Sequence, residues 1–336
     1  MSMTHKKIAQ LANVSPSTVS KALSGSAEVS PQTAEKIRRI AIELGYFKEK
    51  SKRKREYAND GAFLIAVIVP EVLGYHYATI VTCIKDHVEA RGGHVAVYIH
   101  DFNPDKSADI LQSIILHGGT DGVIMLDCPK IPAKVNIPMV CCCGGKNINY
   151  DSISCDSEKM IEDAVDFFMA RGHKEIGYVG EPHTLHAADL FAKVVTSRGL
   201  QSREEYRYMI DARFEQIGHL AGLQILGQAK RPTAILAAYD EVAMGLIATL
   251  MQHGIAVPGD ISVMGINNIP SAVHAQIPLT SVQTFSAEQY KMAVDVLFER
   301  IMEVDLPVRH ITISHKIIER ETTKILKENL CEAGQI

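Results

Sequence analysis

The sequence contains no tryptophan, and aromatic residues fill only 6% of its 336 positions. It has no run of about 18 uninterrupted apolar residues, which argues against a membrane-spanning helix. The opening MSMTHKKIAQ lacks the apolar stretch of a secretory leader. None of the seven cysteines, Cys83, Cys128, Cys141, Cys142, Cys143, Cys155 and Cys331, forms a Cys-x-x-Cys pair. Three of them follow Ile137-Pro138-Met139-Val140, which reads as a buried strand. Adjacent strand residues point to opposite faces, so the three cannot converge on one ion. Reduced, packed thiols are therefore expected, with no metal site and no cofactor. A Gly-x-Ser-x-Gly elbow, a P-loop and a Gly-x-Gly-x-x-Gly loop are all missing, which argues against the common hydrolase, NTPase and dinucleotide chemistries. Together these absences favour a cytoplasmic chain with no membrane partner.

What is present is ordinary in total and uneven in distribution. The chain is 46% hydrophobic and 22% charged, as globular proteins are, and its length suits two or three domains. The formal net charge of −4 hides a split. Residues 1–60 carry 12 Lys/Arg against 6 Asp/Glu, a net of +6, and the remaining 23 Lys/Arg and 33 Asp/Glu give the rest −10. A basic head on an acidic body points to a polyanionic partner for the head alone.

The head reads as three helices. Thr4 is placed to cap the first, which runs to about Leu11 with Ile8, Leu11 and Ala12 on its apolar side. Asn13-Val14-Ser15 makes a tight turn. Ser15 then caps a second helix that starts at Pro16, where a missing N–H costs nothing, and ends near Leu23. Val19, Ala22 and Leu23 form its apolar stripe, and Ser17, Thr18, Ser20 and Lys21 its polar face. Ser30-Pro31 repeats the cap-plus-proline start, with Ile37, Ile40, Ala41 and Leu44 inward on the third helix. Two short helices across a tight turn, closed by a third, describe a helix-turn-helix whose second helix enters the major groove. Position assigns Ser17 and Lys21 to base edges and Pro16 to apolar contact. Thr18, Ser20 and Ser24, with Thr4 and Ser15 at the helix starts, complete the DNA-facing set through phosphates.

The run Thr4-x3-Ile8-Ala9-x2-Ala12-x-Val14-Ser15-x2-Thr18-Val19-Ser20-Lys21-x-Leu23, followed by Val29-Ser30 and Leu44-Gly45-Tyr46, resembles the DNA-binding head of the lactose-repressor/galactose-repressor (LacI/GalR) family. Lys21 stands where that family more often has Arg, keeping the charge but not the bidentate fork. The resemblance implies a hinge segment after Gly45-Tyr46 that wedges a Leu into the minor groove. Here the Leu position falls on Arg55 and the Ala position on Lys52, while Arg53 matches the family Arg. Five of the six residues from Lys50 to Arg55 are basic. The favoured reading is a flexible basic tether held to DNA through phosphates. The alternative inserts Arg53 or Arg55 into a narrow minor groove without a kink.

From Phe63 the pattern changes to alternating apolar runs and helical stretches, as in a parallel sheet covered on both faces. Strands are expected at Leu64–Val69, Val95–Ile99, Gly122–Leu126 and Met139–Cys143, separated by helices. After a helix capped by Asp156 the pattern repeats, with strands at Ile176–Val179, Tyr208–Ile210, Ala234–Ala238 and Ser262–Ile266. Two such lobes in series suggest a clamshell with a ligand between them, at the carboxyl ends of the strands. Ala66-Val67-Ile68-Val69-Pro70, Arg171-Gly172-His173-Lys174-Glu175-Ile176-Gly177-Tyr178-Val179-Gly180, Val257-Pro258-Gly259-Asp260-Ile261-Ser262-Val263 and Pro278-Leu279-Thr280-Ser281-Val282 resemble recurrent segments of the same family. The expected fold is thus an all-α helix-turn-helix head on a bilobed, doubly wound, periplasmic-binding-protein-like α/β body. The expected domains are a head at 1–47, a basic linker at 48–61, one lobe at 62–156 plus 285–315, a second lobe at 157–284 plus 316–326, and a tail at 327–336.

Strand-end positions nominate Tyr75, Tyr77, Asp101, Asp127, His186, Tyr239, Asp240, Asn267 and Phe285 as effector contacts. Sugar-binding members of the family carry an Arg in the helix after Val-Gly and an Asp in a Gly-x-Asp-Asp segment. Those positions are Ala187 and Asn267 here. Both charged clamps are gone together, which favours a neutral polar effector such as a sugar. The function implied is a homodimeric repressor that binds a palindromic double-stranded operator under control of a small molecule. The competing readings are a clamshell solute-binding protein or an α/β enzyme with an accessory helical head.

Overall fold

A computed structural model of the chain describes residues 3–23, 26, 28–44, 62–126, 135, 137–142, 149–284, 287–303 and 305–326. The head forms α1 (Met3–Ala12), α2 (Pro16–Leu23) and α3 (Pro31–Glu43). Ser15 caps α2 as expected: its Oγ accepts the Thr18 main-chain N–H at 3.1 Å. Asn13 takes the left-handed conformation (φ 58°) that the tight turn requires. Ile8, Ala12, Val19, Ala22, Ile37 and Ala41 close the head's core. Two expectations need correction. The α1 helix already includes Met3, so Thr4 lies within the helix rather than before it. Leu11 is 56% exposed, and Ala9 is buried in its place. At about 100° per residue Ile8, Ala12 and Ala9 span one face of about 100°, and Leu11 falls about 60° beyond its Ile8 edge, on the side away from Ala9.

The chain clusters into two compact units, one of Met1–Leu73, Tyr77–Ser154 and Ala287–Ile311, the other of Gly74–His76, Cys155–Ser286 and Thr312–Ile336. The first holds β1 (Phe63–Val69), α4 (Tyr75–Glu89, its first two residues apart), β2 (Gly93–Ile99), α5 (Pro104–His117), β3 (Gly122–Leu126), β4 (Met139–Cys142), β5 (Asp151–Cys155, its last residue apart), α10 (Ala287–Met302) and β11 (His310–Ile313, shared at its end). Its sheet runs β11-β5-β4-β3-β1-β2, and the pairs from β5 to β2 are all parallel. The second unit holds α6 (Ser157–Met169), β6 (Ile176–Gly180), α7 (Leu185–Ser197), β7 (Arg207–Met209), α8 (Glu215–Leu226), β8 (Ala234–Ala237), α9 (Asp240–Gln252), β9 (Ser262–Ile266), β10 (Thr280–Gln283) and β12 (Lys316–Ile318). Its sheet repeats the winding as β12-β10-β9-β8-β6-β7, parallel except for the antiparallel edge pair β10–β12.

The apolar runs that suggested central strands are buried on both faces, with Ile65 to Val69 fully inaccessible. Asp156 caps α6 by accepting the Lys159 N–H. The strands β5, β10 and β12 went unrecognised in the sequence. Asp151-Ser152-Ile153-Ser154-Cys155 is too polar to read as a core strand, yet Asp151 is 2% exposed. The Arg300 guanidinium on α10 grips both its oxygens at 2.9 Å, which makes a buried charge tolerable. Cys141 and Cys142 pack within β4 as small hydrophobes. Among the described residues no helix is long and apolar enough to cross a membrane.

Candidate functional site

The head presents one polar surface. Ser15, Ser17, Ser20 and Lys21 are exposed, and Pro16 and Thr18 are partly so, while Val19 and Ala22 on the opposite side of α2 are buried. Amphipathicity thus holds the expected DNA readers outward on a helix that cannot roll without exposing the head's core. The hydroxyls are pre-set by local bonds, with Ser15 Oγ 2.7 Å from Ser17 Oγ and 2.8 Å from Thr18 Oγ1. The Lys21 ammonium is engaged in an ion pair with Glu28, from the turn after α2. Ser24, Arg53, Arg55, Asp127 and Phe285, like the side chain of Thr4, lie outside the described residues.

The remaining effector candidates sit at carboxyl ends of strands. In the first unit, Tyr77 on α4 packs edge-on against Phe102 (centroids 6.3 Å apart). Asp101 follows β2 in a left-handed conformation (φ 52°) and is bridged to Lys106 at 2.5 Å. Tyr75, the first residue of α4 and grouped with the second unit, is 45% exposed.

In the second unit the structure assembles a cluster that the sequence reading named only in part. Tyr239 follows β8 and donates its hydroxyl to Glu181 Oε1 at 2.8 Å. Glu181 follows β6 and is almost wholly buried. Arg213, from the loop after β7, pairs with the same Glu181 oxygen and lies over the Phe214 ring, 4.7 Å from its centroid. The Phe214 N–H donates to the Tyr239 hydroxyl at 3.2 Å, and Phe214 itself is held at φ 53°, a strained backbone for an aromatic residue. Burial, reinforced by the adjacent Glu181 carboxylate, pushes the Tyr239 phenol well above its ordinary range. Glu181 and Arg213 were missed because neither belongs to a motif. The available signal was position: each is a charged residue just beyond a short apolar strand of a doubly wound sheet. His186 is exposed near the start of α7, and Asn267 (φ 98°) accepts a hydrogen bond from the Thr284 hydroxyl at 3.2 Å.

Asp240 must be removed from the effector set. It is fully buried, and its oxygens accept the Ile269 N–H at 2.7 Å and the Ser281 hydroxyl at 2.6 Å. It ties the start of α9 to β10 and to the segment after β9, a structural role. Its neighbour Asn268 accepts from the Arg320 guanidinium at 2.6 Å. Burial raises the Asp240 carboxyl from 3.8 to about 7. A carboxyl raised on folding binds more protons in the folded chain, so its stabilising contribution is full below about pH 4 and is lost as pH rises through 7. Asp240→Asn removes the charge, keeps one oxygen to accept the Ile269 N–H, and reverses the Ser281 contact, with the amide N–H donating to Ser281 Oγ. Its melting temperature relative to wild type should therefore be higher at pH 8 than at pH 5, measured by thermal unfolding. An offset independent of pH contradicts this assignment.

His173 completes the picture of buried polar groups that serve the fold. Its two ring nitrogens lie 3.0 Å from Thr233 Oγ1 and 3.2 Å from the Lys324 carbonyl, and burial lowers its pKa.

Comparison with known proteins agrees with this geometry. Residues 4–49 match the model of bacterial regulatory proteins of the lacI family, and residues 165–323 match a periplasmic binding protein-like domain. Catabolite control protein A of Priestia megaterium is 26% identical over 336 residues, covering 96% of this chain and 100% of that protein. The ribose operon repressor of Haemophilus influenzae is 25% identical over 351 residues, covering 96% and 99%. The structure of the transcriptional regulator CelR in complex with cellobiose shares the fold at a TM-score of 0.67 and 21% identity, over 95% of this chain and 99% of that one. With both regions matched in order and the relatives aligned over nearly their full length, the chain belongs to the LacI family and is a DNA-binding transcriptional regulator with a periplasmic-binding-protein-like body.

Proposed function

We propose that this regulator is a cytoplasmic repressor that binds a two-fold symmetric operator as a homodimer and is controlled by a neutral, hydroxyl-rich small molecule. A single helix-turn-helix covers one half-site, so a specific operator complex calls for two heads. Ser17 and Lys21 read base edges, and Thr18 and Ser20 hold phosphates. Tyr75, Tyr77, Asp101, His186, Tyr239 and Asn267 are the proposed effector contacts, joined by Arg213 and Glu181.

The observation that carries the effector reading is the Glu181–Arg213–Tyr239 cluster at three strand ends of one sheet. Arg213 is charge-compensated by a buried carboxylate, so the cluster offers fork donors with little net charge. That suits vicinal hydroxyls better than a phosphate or carboxylate, whose charge would meet Glu181 as well. The names of the ribose operon repressor and of the cellobiose complex are in keeping with a sugar.

The test is calorimetric titration of the full chain with neutral sugars and polyols, and with their phosphorylated or acidic counterparts. A neutral sugar or polyol is expected to bind, and Arg213→Gln is expected to weaken it about 10- to 100-fold, as loss of a charge-assisted hydrogen bond does. Binding confined to anionic sugars, or unchanged in Arg213→Gln, overturns the assignment.

A further inference from the structure

The recognition helix carries one cation, Lys21, and residues 1–34 contain one acidic residue, Glu28. The fold places that single anion on that single cation: the Lys21 ammonium and the Glu28 carboxylate form an ion pair across the end of α2. The other basic groups of the head lie elsewhere. His5, Lys6 and Lys7 are on α1, Lys36, Arg38 and Arg39 are on α3, and the Lys36 ammonium donates to the Ala12 carbonyl at 3.1 Å.

We propose that Glu28 is a specificity-determining residue of the DNA-reading head, an internal acceptor that holds Lys21 away from phosphates until a base edge replaces it. The inference rests on the reading of Lys21 as a base contact. The side chains of Lys21 and Glu28 are 51% and 68% exposed. A pair so exposed is worth about 1 kcal/mol or less, so it holds Lys21 without locking it.

Two modes of DNA binding are affected differently. On a random duplex the head is held by phosphates, and a Lys21 released from Glu28 would add one such contact whatever the sequence. Paired with Glu28, Lys21 stays out of that mode. On the correct half-site the acceptors of a guanine edge take the place of Glu28, and the ion pair is exchanged for a base contact. Glu28 therefore lowers indiscriminate affinity more than specific affinity, which is how a repulsive or competing group generates specificity.

The experiment uses the full chain, a random-sequence duplex, and a duplex enriched by the wild-type chain from a random pool. Glu28→Gln should bind the random duplex about three- to fivefold more tightly at low salt. Its log–log salt slope on that duplex should steepen by about one unit. Affinity for the enriched duplex should rise no more than about twofold, so discrimination falls. With Lys21→Ala already present, adding Glu28→Gln should change random-duplex affinity less than about twofold. Equal gains on both duplexes, no gain on the random one, or a gain that persists beside Lys21→Ala overturns the proposal. A wild-type chain that enriches no sequence refutes the DNA-reading assignment instead, so the two failures are distinguishable. Both positions are exposed, and unchanged thermal unfolding of the variants confirms intact folding.

Discussion

Val19→Asp in the full chain is expected to abolish sequence-specific DNA binding, with affinity for an enriched duplex reduced about 1,000-fold toward the non-specific level. Val19 is fully buried on α2, within the core that also holds Ile8, Ile37 and Ala41. An unpaired carboxylate there costs several kcal/mol, comparable with the whole stability of a head this small. The second unit has its own sheet and cores and should keep its melting transition. The basic run from Lys50 to Arg55 remains in the variant, so residual binding should be weak, salt-sensitive and indifferent to sequence. Gel-shift titration on enriched and random duplexes checks this. Retained discrimination would show that the helix-turn-helix is not the reader.

Gly245→Ala is expected to destabilise the second unit by about 3 kcal/mol, lowering its melting temperature by roughly 6–12 °C. The helices α8 and α9 cross with backbones almost in contact. A Cβ at Gly245 would lie 2.1 Å from the Glu215 carbonyl oxygen, and one at Gly218 would lie 2.1 Å from the Val242 carbonyl oxygen. Main chain cannot swing aside as a side chain does, so the helices must separate and lose the packing between them. The Glu215 turn directly follows Arg213 and Phe214, so effector binding should weaken with the same substitution. Gly227→Ala is the control: its φ is −76° and the nearest atom to a new Cβ lies 3.5 Å away, so near-wild-type stability is expected. Differential scanning calorimetry separates the cases, and equal melting of the two variants contradicts the close-crossing account.

The two lobes were legible in the sequence because burial on both faces of a parallel sheet writes itself as continuous apolar runs, such as Ile65 to Val69 and Val263 to Ile266. The head was legible because caps and prolines punctuate it at Ser15-Pro16 and Ser30-Pro31. Strands stabilised by tertiary partners were not legible: β5 depends on Asp151 meeting Arg300, 149 residues away. Leu11 misled because a short helix leaves one apolar residue free to face outward. At the ligand site, strand-end counting found Tyr239 but also took in Asp240, one residue on, whose side chain turns into the fold. Glu181 and Arg213 become visible as a unit only when β6, β7 and β8 lie side by side.

The most direct test of the central claim, that residues 3–44 read operator sequence on behalf of a ligand-binding body, is selection of duplexes from a random pool by the full chain. The account predicts enrichment of a two-fold symmetric sequence with half-sites about one helical turn apart, bound by wild type and lost in Val19→Asp. Failure to enrich any sequence, or enrichment that Val19→Asp reproduces, would contradict it.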